Sequence, residues 1–165
     1  MIAKKICMLG TNAVGKTSLV QRFVHTHFSD SYITNIGVMI EKKVVHANNK
    51  DVELVLWDIY GEDSFQKVQL SYLRGMSGYF LVVDGTRLHT LDDALALNER
   101  VSGTAGKVPA LLVINKVDLA PQWEIGPDRQ AKLAESGWEI FLTSAKTGEK
   151  VEDAFARLTM KMLGA

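Results

Sequence analysis

The sequence predicts an α/β fold: a six-stranded, mostly parallel sheet with one antiparallel edge strand and helices on both faces. Three observations predict it. Short β-branched and apolar runs recur along the chain, as they do in mostly buried strands. Stretches with helical spacing lie between them, and that alternation requires crossover connections and therefore parallel pairing. One neighbouring pair of runs is separated by only a short polar link, the mark of a hairpin.

Taken in order, strands are expected at Ile2 to Leu9, Val38 to His46, Val52 to Trp57, Tyr79 to Val83, Ala110 to Ile114 and Glu139 to Leu142. Helices are expected at Thr17 to Val24, Ser64 to Leu73, Leu91 to Val101, Pro127 to Ser136 and Val151 to Leu163. The link Ala47-Asn48-Asn49-Lys50-Asp51 joins the second strand to the third and makes the second the antiparallel edge. With 165 residues, no repeat and no low-complexity segment, residues 1–165 form one domain.

Hydrophobic residues make up 47% of the chain and charged residues 23%, as in a soluble fold with a sizeable core. Nineteen basic and nineteen acidic side chains cancel, so no global field draws nucleic acid or an anionic membrane, and a phosphate ligand needs a local site. The single cysteine, Cys7, lies in an apolar run and reads as a buried packing residue. No apolar run is long enough to span a bilayer. Ile2 excludes N-myristoylation and the closing Met162-Leu163-Gly164-Ala165 holds no cysteine to prenylate, so a cytoplasmic protein without a direct membrane anchor is expected.

In open α/β sheets the ligand crevice lies at the carboxyl ends of the strands. The first strand runs into Gly10-Thr11-Asn12-Ala13-Val14-Gly15-Lys16-Thr17, with Ser18 following in a helix. This is a complete phosphate loop. Its glycines let the backbone wrap a phosphate, and the amides from Asn12 to Ser18 and the helix N-terminus face it. Lys16 reaches the outer phosphates and Thr17 offers a hydroxyl to Mg²⁺.

A later strand ends in Asn115-Lys116-Val117-Asp118-Leu119. A carboxylate at Asp118 accepts hydrogen bonds from N1 and the amino group of guanine, a pattern that adenine does not offer. After the last strand, Thr143-Ser144-Ala145-Lys146 supplies a small residue that lets a backbone amide approach the base carbonyl. These segments assign Asn12, Ala13, Val14, Gly15, Lys16, Thr17, Ser18, Asn115, Lys116, Asp118, Leu119, Ser144, Ala145 and Lys146 to the nucleotide.

With these motifs in this order, the chain resembles the Ras and Rab branch of small GTPases over nearly its whole length, and the resemblance implies the P-loop NTPase fold known as the G domain. It implies that Phe28 packs against guanine and that Asp30 lies near the ribose. Tyr32 to Val38 looks like the first switch segment. Trp57-Asp58-Ile59-Tyr60-Gly61-Glu62-Asp63 looks like the second, so Asp58 holds Mg²⁺ through water and the Gly61 amide meets the γ-phosphate. GTP or GDP with Mg²⁺ is then the ligand. Protein effectors and regulators would engage residues 30–40 and 58–75.

Departures from the family pattern sit at the chemistry. Asn35 stands where the family places a Mg²⁺-ligating threonine, and its amide oxygen is a ligand on a longer arm. Glu62 replaces the water-orienting glutamine: it accepts a proton from water but repels the γ-phosphate, leaving the sign of its effect on rate open. Tyr60 and Asn12 add bulk beside the γ-phosphate. Two readings follow. In one, Glu62, Lys16 and Gly61 support slow hydrolysis of GTP to GDP and phosphate in a molecular switch, with Thr17, Asn35 and Asp58 at the metal. In the other, the chain is a nucleotide-binding interaction module with negligible hydrolysis.

Overall fold

The computed structural model describes residues 1–25, 32–33, 37–59 and 70–164, with the backbone alone at residues 32, 33, 70 and 105. Strand β1 (Ile2–Leu9) leads into helix α1 (Lys16–Val24), followed by a two-residue strand β2 (Tyr32–Ile33). Next come β3 (Val38–Ala47), β4 (Lys50–Ile59), β5 (Gly78–Asp84) and helix α2 (Leu88–Ala105). Then β6 (Ala110–Asn115), α3 (Pro127–Glu135), β7 (Ile140–Thr143) and α4 (Val151–Met162) complete the chain.

The strands form one sheet in the order β2-β3-β4-β1-β5-β6-β7. Strand β1 pairs in parallel with β4 and β5, and β6 with β5 and β7. Strand β3 is antiparallel to β4, as expected, and β2 extends that antiparallel pairing outward by two residues. The expected five-residue link tightens to the turn Asn48-Asn49, whose φ values of 52° and 60° give the twist that matches two antiparallel strands. Asparagine tolerates this conformation because its short amide bonds locally.

Alternate residues of the central strands enter two separate cores, because helices cover both faces. Ile6, Met8, Phe80, Val82, Leu111 and Val113 pack beneath α1 and α4. Cys7, Leu9, Leu81, Val83, Leu112 and Ile114 pack beneath α2 and α3. On the first face Phe23 of α1 stacks on Phe155 of α4 with ring centroids 3.9 Å apart, and Phe80 meets Phe155 edge-on. Each such buried ring contributes about 1.5–3 kcal/mol, so α1, the helix that follows the phosphate loop, is clamped to the sheet.

Besides β2, a seventh strand that takes the edge position expected of β3, two elements depart from expectation. The helical spacing from Ser64 to Leu73 ends in a 3-10 turn, Leu70–Leu73, and residues 60–69 lie outside the described residues. Helix α2 runs from Leu88 to Ala105, beyond Leu91 to Val101 at both ends; Ser102 and Thr104 return their hydroxyls to the carbonyls of Asn98 and Arg100, so these polar side chains are satisfied without leaving the helix. Among the described residues no helix is long and apolar enough to cross a membrane.

Candidate functional site

The loop after β1 is shaped by the sheet beneath it. Gly10 has φ 153°, and a β-carbon there would lie 2.3 Å from the Val82 carbonyl oxygen. At Gly15, φ is 103° and a β-carbon would lie 2.2 Å from Asn115 Nδ2. Only glycine fits both places. Between them Ala13 also holds a left-handed backbone, with φ 62°. Helix α1 starts at Lys16 with no side-chain cap and no acidic residue in its first turn. The first intrahelical bond is Leu19 N to Gly15 O, so the amides before Leu19 have no partner within the helix and its positive dipole end is open to an anion.

Lys16 is buried, and its ammonium donates to Gly10 O at 2.8 Å and Thr11 O at 3.1 Å. Burial pushes it down to about 8, with the Asp58 carboxylate opposing the shift. Thr17 Oγ1 donates to Asp58 Oδ2 at 2.5 Å. Asp58 is fully buried, and its Oδ1 has no hydrogen-bond partner among the described residues. Burial raises the Asp58 carboxyl above its ordinary range and Glu41 adds to this, while Thr17 and Lys16 oppose it. A hydroxyl and an orphaned carboxylate oxygen, side by side at a helix N-terminus, are hard oxygen donors of the type Mg²⁺ prefers.

Asn115 joins the loop to the other side of the cleft. Its Nδ2 donates to Val14 O at 3.0 Å, while its Oδ1 accepts from Thr143 Oγ1 at 3.0 Å and from the Ala145 amide at 3.2 Å. Lys116, in a left-handed conformation, sends its ammonium to Ala13 O at 3.3 Å and pairs with Asp84 Oδ2 at 2.8 Å. Asp118 is the second residue of the 3-10 segment Val117–Gln122, and Ser144 Oγ donates to its Oδ1 at 2.8 Å, fixing an otherwise exposed carboxylate. Arg22 of α1 donates to the carbonyls of Ala145 and Lys146 and so links the helix to that loop.

Two adjoining clefts result. One, of about 430 Å³, is lined by Gly15, Ser18, Asn115, Lys116, Asp118, Leu119, Ala145 and Lys146. The other, of about 250 Å³, is lined by Asn12, Ala13, Gly15, Lys16, Thr17, Ser18 and Lys116. They share Gly15, Ser18 and Lys116, so a base-sized space beside Asp118 opens into a phosphate-sized space over the loop.

The family model of the Ras family matches residues 5–164. The chain belongs to the Ras family. It is 32% identical to the Ras-related protein Rab-13 of Canis lupus familiaris over 161 residues, 96% of this chain and 79% of that protein. It is 34% identical to the Ras-related protein RABD2c of Arabidopsis thaliana over 157 residues, 94% and 78% of the two chains. To the GTP-binding protein Rheb homolog of Dictyostelium discoideum it is 34% identical over 160 residues, 94% and 85%. It is thus a Rab-like small GTPase by family and by fold.

In this Ras-family chain the structure brings Asn12, Ala13, Gly15, Lys16, Thr17, Ser18, Asn115, Lys116, Asp118, Leu119, Ala145 and Lys146 to the walls of the two clefts, with Asp58 beside Thr17. Val14 is instead fully buried in the core and Ser144 stands behind Asp118, so of the expected contacts these two support the site from beneath. Phe28, Asp30, Asn35, Gly61 and Glu62, together with Tyr60, lie outside the described residues. Sequence reasoning missed Asp84, Arg87 and Arg22. Asp84 ends β5 and, though burial works to raise it, hydrogen bonds from Lys116, Thr86 and Arg87 bring its carboxyl down to about 2. The signal was available: Asp84 ends a strand at the same level as Asn115, where the crevice of an open sheet lies.

Proposed function

We propose that the protein is a guanine-nucleotide switch that binds GTP and GDP with Mg²⁺ and hydrolyses GTP slowly, acting in the cytoplasm. The observation that carries this reading is the pair of clefts sharing Gly15, Ser18 and Lys116, with Asp118 at one end and Lys16 at the other. Guanine sits in the larger cleft with N1–H and its amino group on the Asp118 carboxylate, which Ser144 holds in place. The phosphates lie over the open amides of α1, where the Lys16 ammonium exchanges two loop carbonyls for phosphate oxygens. Their charge offsets the burial that disfavours its protonated form.

Mg²⁺ would be held by Thr17 and, through water, by Asp58, with Asn35 as the ligand from the first switch segment. It supplies charge neutralisation across the outer phosphates. The chain's own part in hydrolysis is to orient the γ-phosphate for in-line attack by water, through Lys16, the loop amides and Gly61, with Glu62 beside the water. Residues 30–40 and 58–75 carry the nucleotide state to effectors and regulators.

The test begins with denaturing the purified protein and identifying released nucleotide by chromatography. Loaded GTP is then followed over hours with Mg²⁺ in wild type, Asp118→Ala and Glu62→Ala. Guanine nucleotide that is lost with Asp118→Ala supports the pocket, and conversion to GDP that slows with Glu62→Ala supports the switch. Chelating Mg²⁺ should speed GDP release in wild type and change it little in Asp58→Ala. Persistent GTP in wild type favours the interaction-module reading, and released adenine nucleotide defeats both.

A further inference from the structure

Arg87 stands at the mouth of α2 with its backbone fixed on both sides. Its amide donates to Asp84 O at 3.0 Å, and its carbonyl accepts from Thr90 N at 3.1 Å and Thr90 Oγ1 at 2.7 Å. The side chain is therefore aimed before any ligand arrives. Its Nε pairs with Asp84 Oδ2 at 2.9 Å, and its Nη2 donates to Ala13 O at 2.9 Å and to Asn12 O at 3.3 Å. Lys116 makes the same two attachments, to Asp84 Oδ2 and to Ala13 O. One carboxylate thus orients two cations onto one carbonyl of the phosphate loop.

That carbonyl belongs to the residue that needs holding. Ala13 has φ 62°, a conformation a β-carbon disfavours and glycine adopts freely. A loop tip under this strain leaves its bound shape unless its surroundings over-determine it. We propose that Arg87 is a positioning residue for nucleotide retention: with Asp84 as its anchor, it pins the Asn12–Ala13 tip in the phosphate-binding conformation. The inference rests on the guanine-nucleotide reading above and adds to it a residue that touches no predicted nucleotide atom.

The experiment loads a fluorescent GDP analogue with Mg²⁺ and follows its release into excess unlabelled GDP for wild type, Arg87→Gln, Arg87→Lys, Ala13→Gly and the Ala13→Gly/Arg87→Gln pair. Loss of a charge-assisted hydrogen bond to the tip should speed release about tenfold in Arg87→Gln. Arg87→Lys keeps the charge but lacks the fork that spans Asp84 and the carbonyls, and should fall between. In the Ala13→Gly background, Arg87→Gln should speed release only about twofold, because glycine holds the tip without strain.

Release from Arg87→Gln at the wild-type rate would overturn the inference, as would equal acceleration in both backgrounds, which marks a general effect on the fold. Should Arg87→Gln lose the wild-type circular dichroism, Arg87→Lys decides: severalfold faster release supports the role and an unchanged rate overturns it. A wild type that takes up no guanine nucleotide defeats the nucleotide reading as well. That result is distinct from a wild type that binds beside a silent Arg87→Gln.

Discussion

Replacing Asn115 by alanine removes three hydrogen bonds at once from a side chain that is only 2% exposed. The groups left behind are Val14 O, Thr143 Oγ1 and the Ala145 amide, and Thr143 is itself fully buried. At about 1 kcal/mol for each bond the loss is about 3 kcal/mol. For a chain of this size that lowers the melting temperature by roughly 6–12 °C. The assay is urea unfolding followed by far-UV circular dichroism, with the slope m checked for constancy so that the midpoint shift reads stability. Repeating it with saturating GDP should widen the gap, because Asn115 ties Val14 to Ala145 across the shared edge of the clefts, and the variant gains less from ligand. The isosteric Asn115→Asp keeps the acceptor for Thr143 and Ala145 but sets a carboxylate oxygen against Val14 O, so it should lose at least as much. A loss below about 1 kcal/mol for Asn115→Ala at constant m would refute the three-bond reasoning.

Further outcomes follow from the same geometry. Gly15→Ala places a β-carbon 2.2 Å from Asn115 Nδ2 at a backbone φ of 103°, and Asn115 is too firmly bonded to move aside. Its affinity for GDP should fall roughly 100-fold by titration, from strain and a broken bond of about 3 kcal/mol together; an unchanged affinity would contradict the described loop shape. Asp84 has a carboxyl lowered to about 2, so its contribution to stability is fully present above the ordinary value of 3.8 and is lost as pH falls through about 2. The gap in urea midpoint between wild type and Asp84→Asn should therefore hold from pH 7 to 5 and close between 4 and 2. Cys7 is fully buried, and burial pushes its thiol up to about 12, so iodoacetamide at pH 8 should label it only after unfolding.

What the sequence made legible had a short-range cause. Strands β5 and β6 and the second half of β1 are covered on both faces, so nearly every residue there is apolar and the run stands out. The phosphate loop is visible because Gly10 and Gly15 meet steric limits that no other residue satisfies, and because Lys16 follows at a fixed offset. Asn115 and Asp118 were found as a motif, and Ser144 with Ala145 as a small-residue turn. What was missed depends on tertiary placement. Strand β2 is two residues long, too short to show a period, and it exists through its pairing with Met39 and Ile40. The hairpin at Asn48-Asn49 is legible, but its turn reads as a five-residue link because it lacks the glycine that marks tight turns. Arg87 gave no motif because its target carbonyls are 74 and 75 residues away in the chain.

The site takes its order from strand register. Asp84 is paired with Asn115 across β5 and β6, and Asn115 with Thr143 across β6 and β7, so three polar residues stand in one row at the carboxyl edge of the sheet. Each passes a constraint sideways or forward. Thr143 fixes the amide of Asn115, Asn115 holds Val14 O, and Asp84 aims Lys116 and Arg87 at Ala13 O. The consecutive carbonyls of Ala13 and Val14 are thereby held by Asn115 at the end of β6 and by Lys116 and Arg87 just beyond the ends of β6 and β5. A shift of one residue in β6 would put Asn115 on the level of a different neighbour and break both links at once. The parallel core therefore does more than carry the loops: its register converts two apolar layers into a fixed array of donors. This accounts for a phosphate loop that keeps its shape with alanine at a position where glycine would be easier.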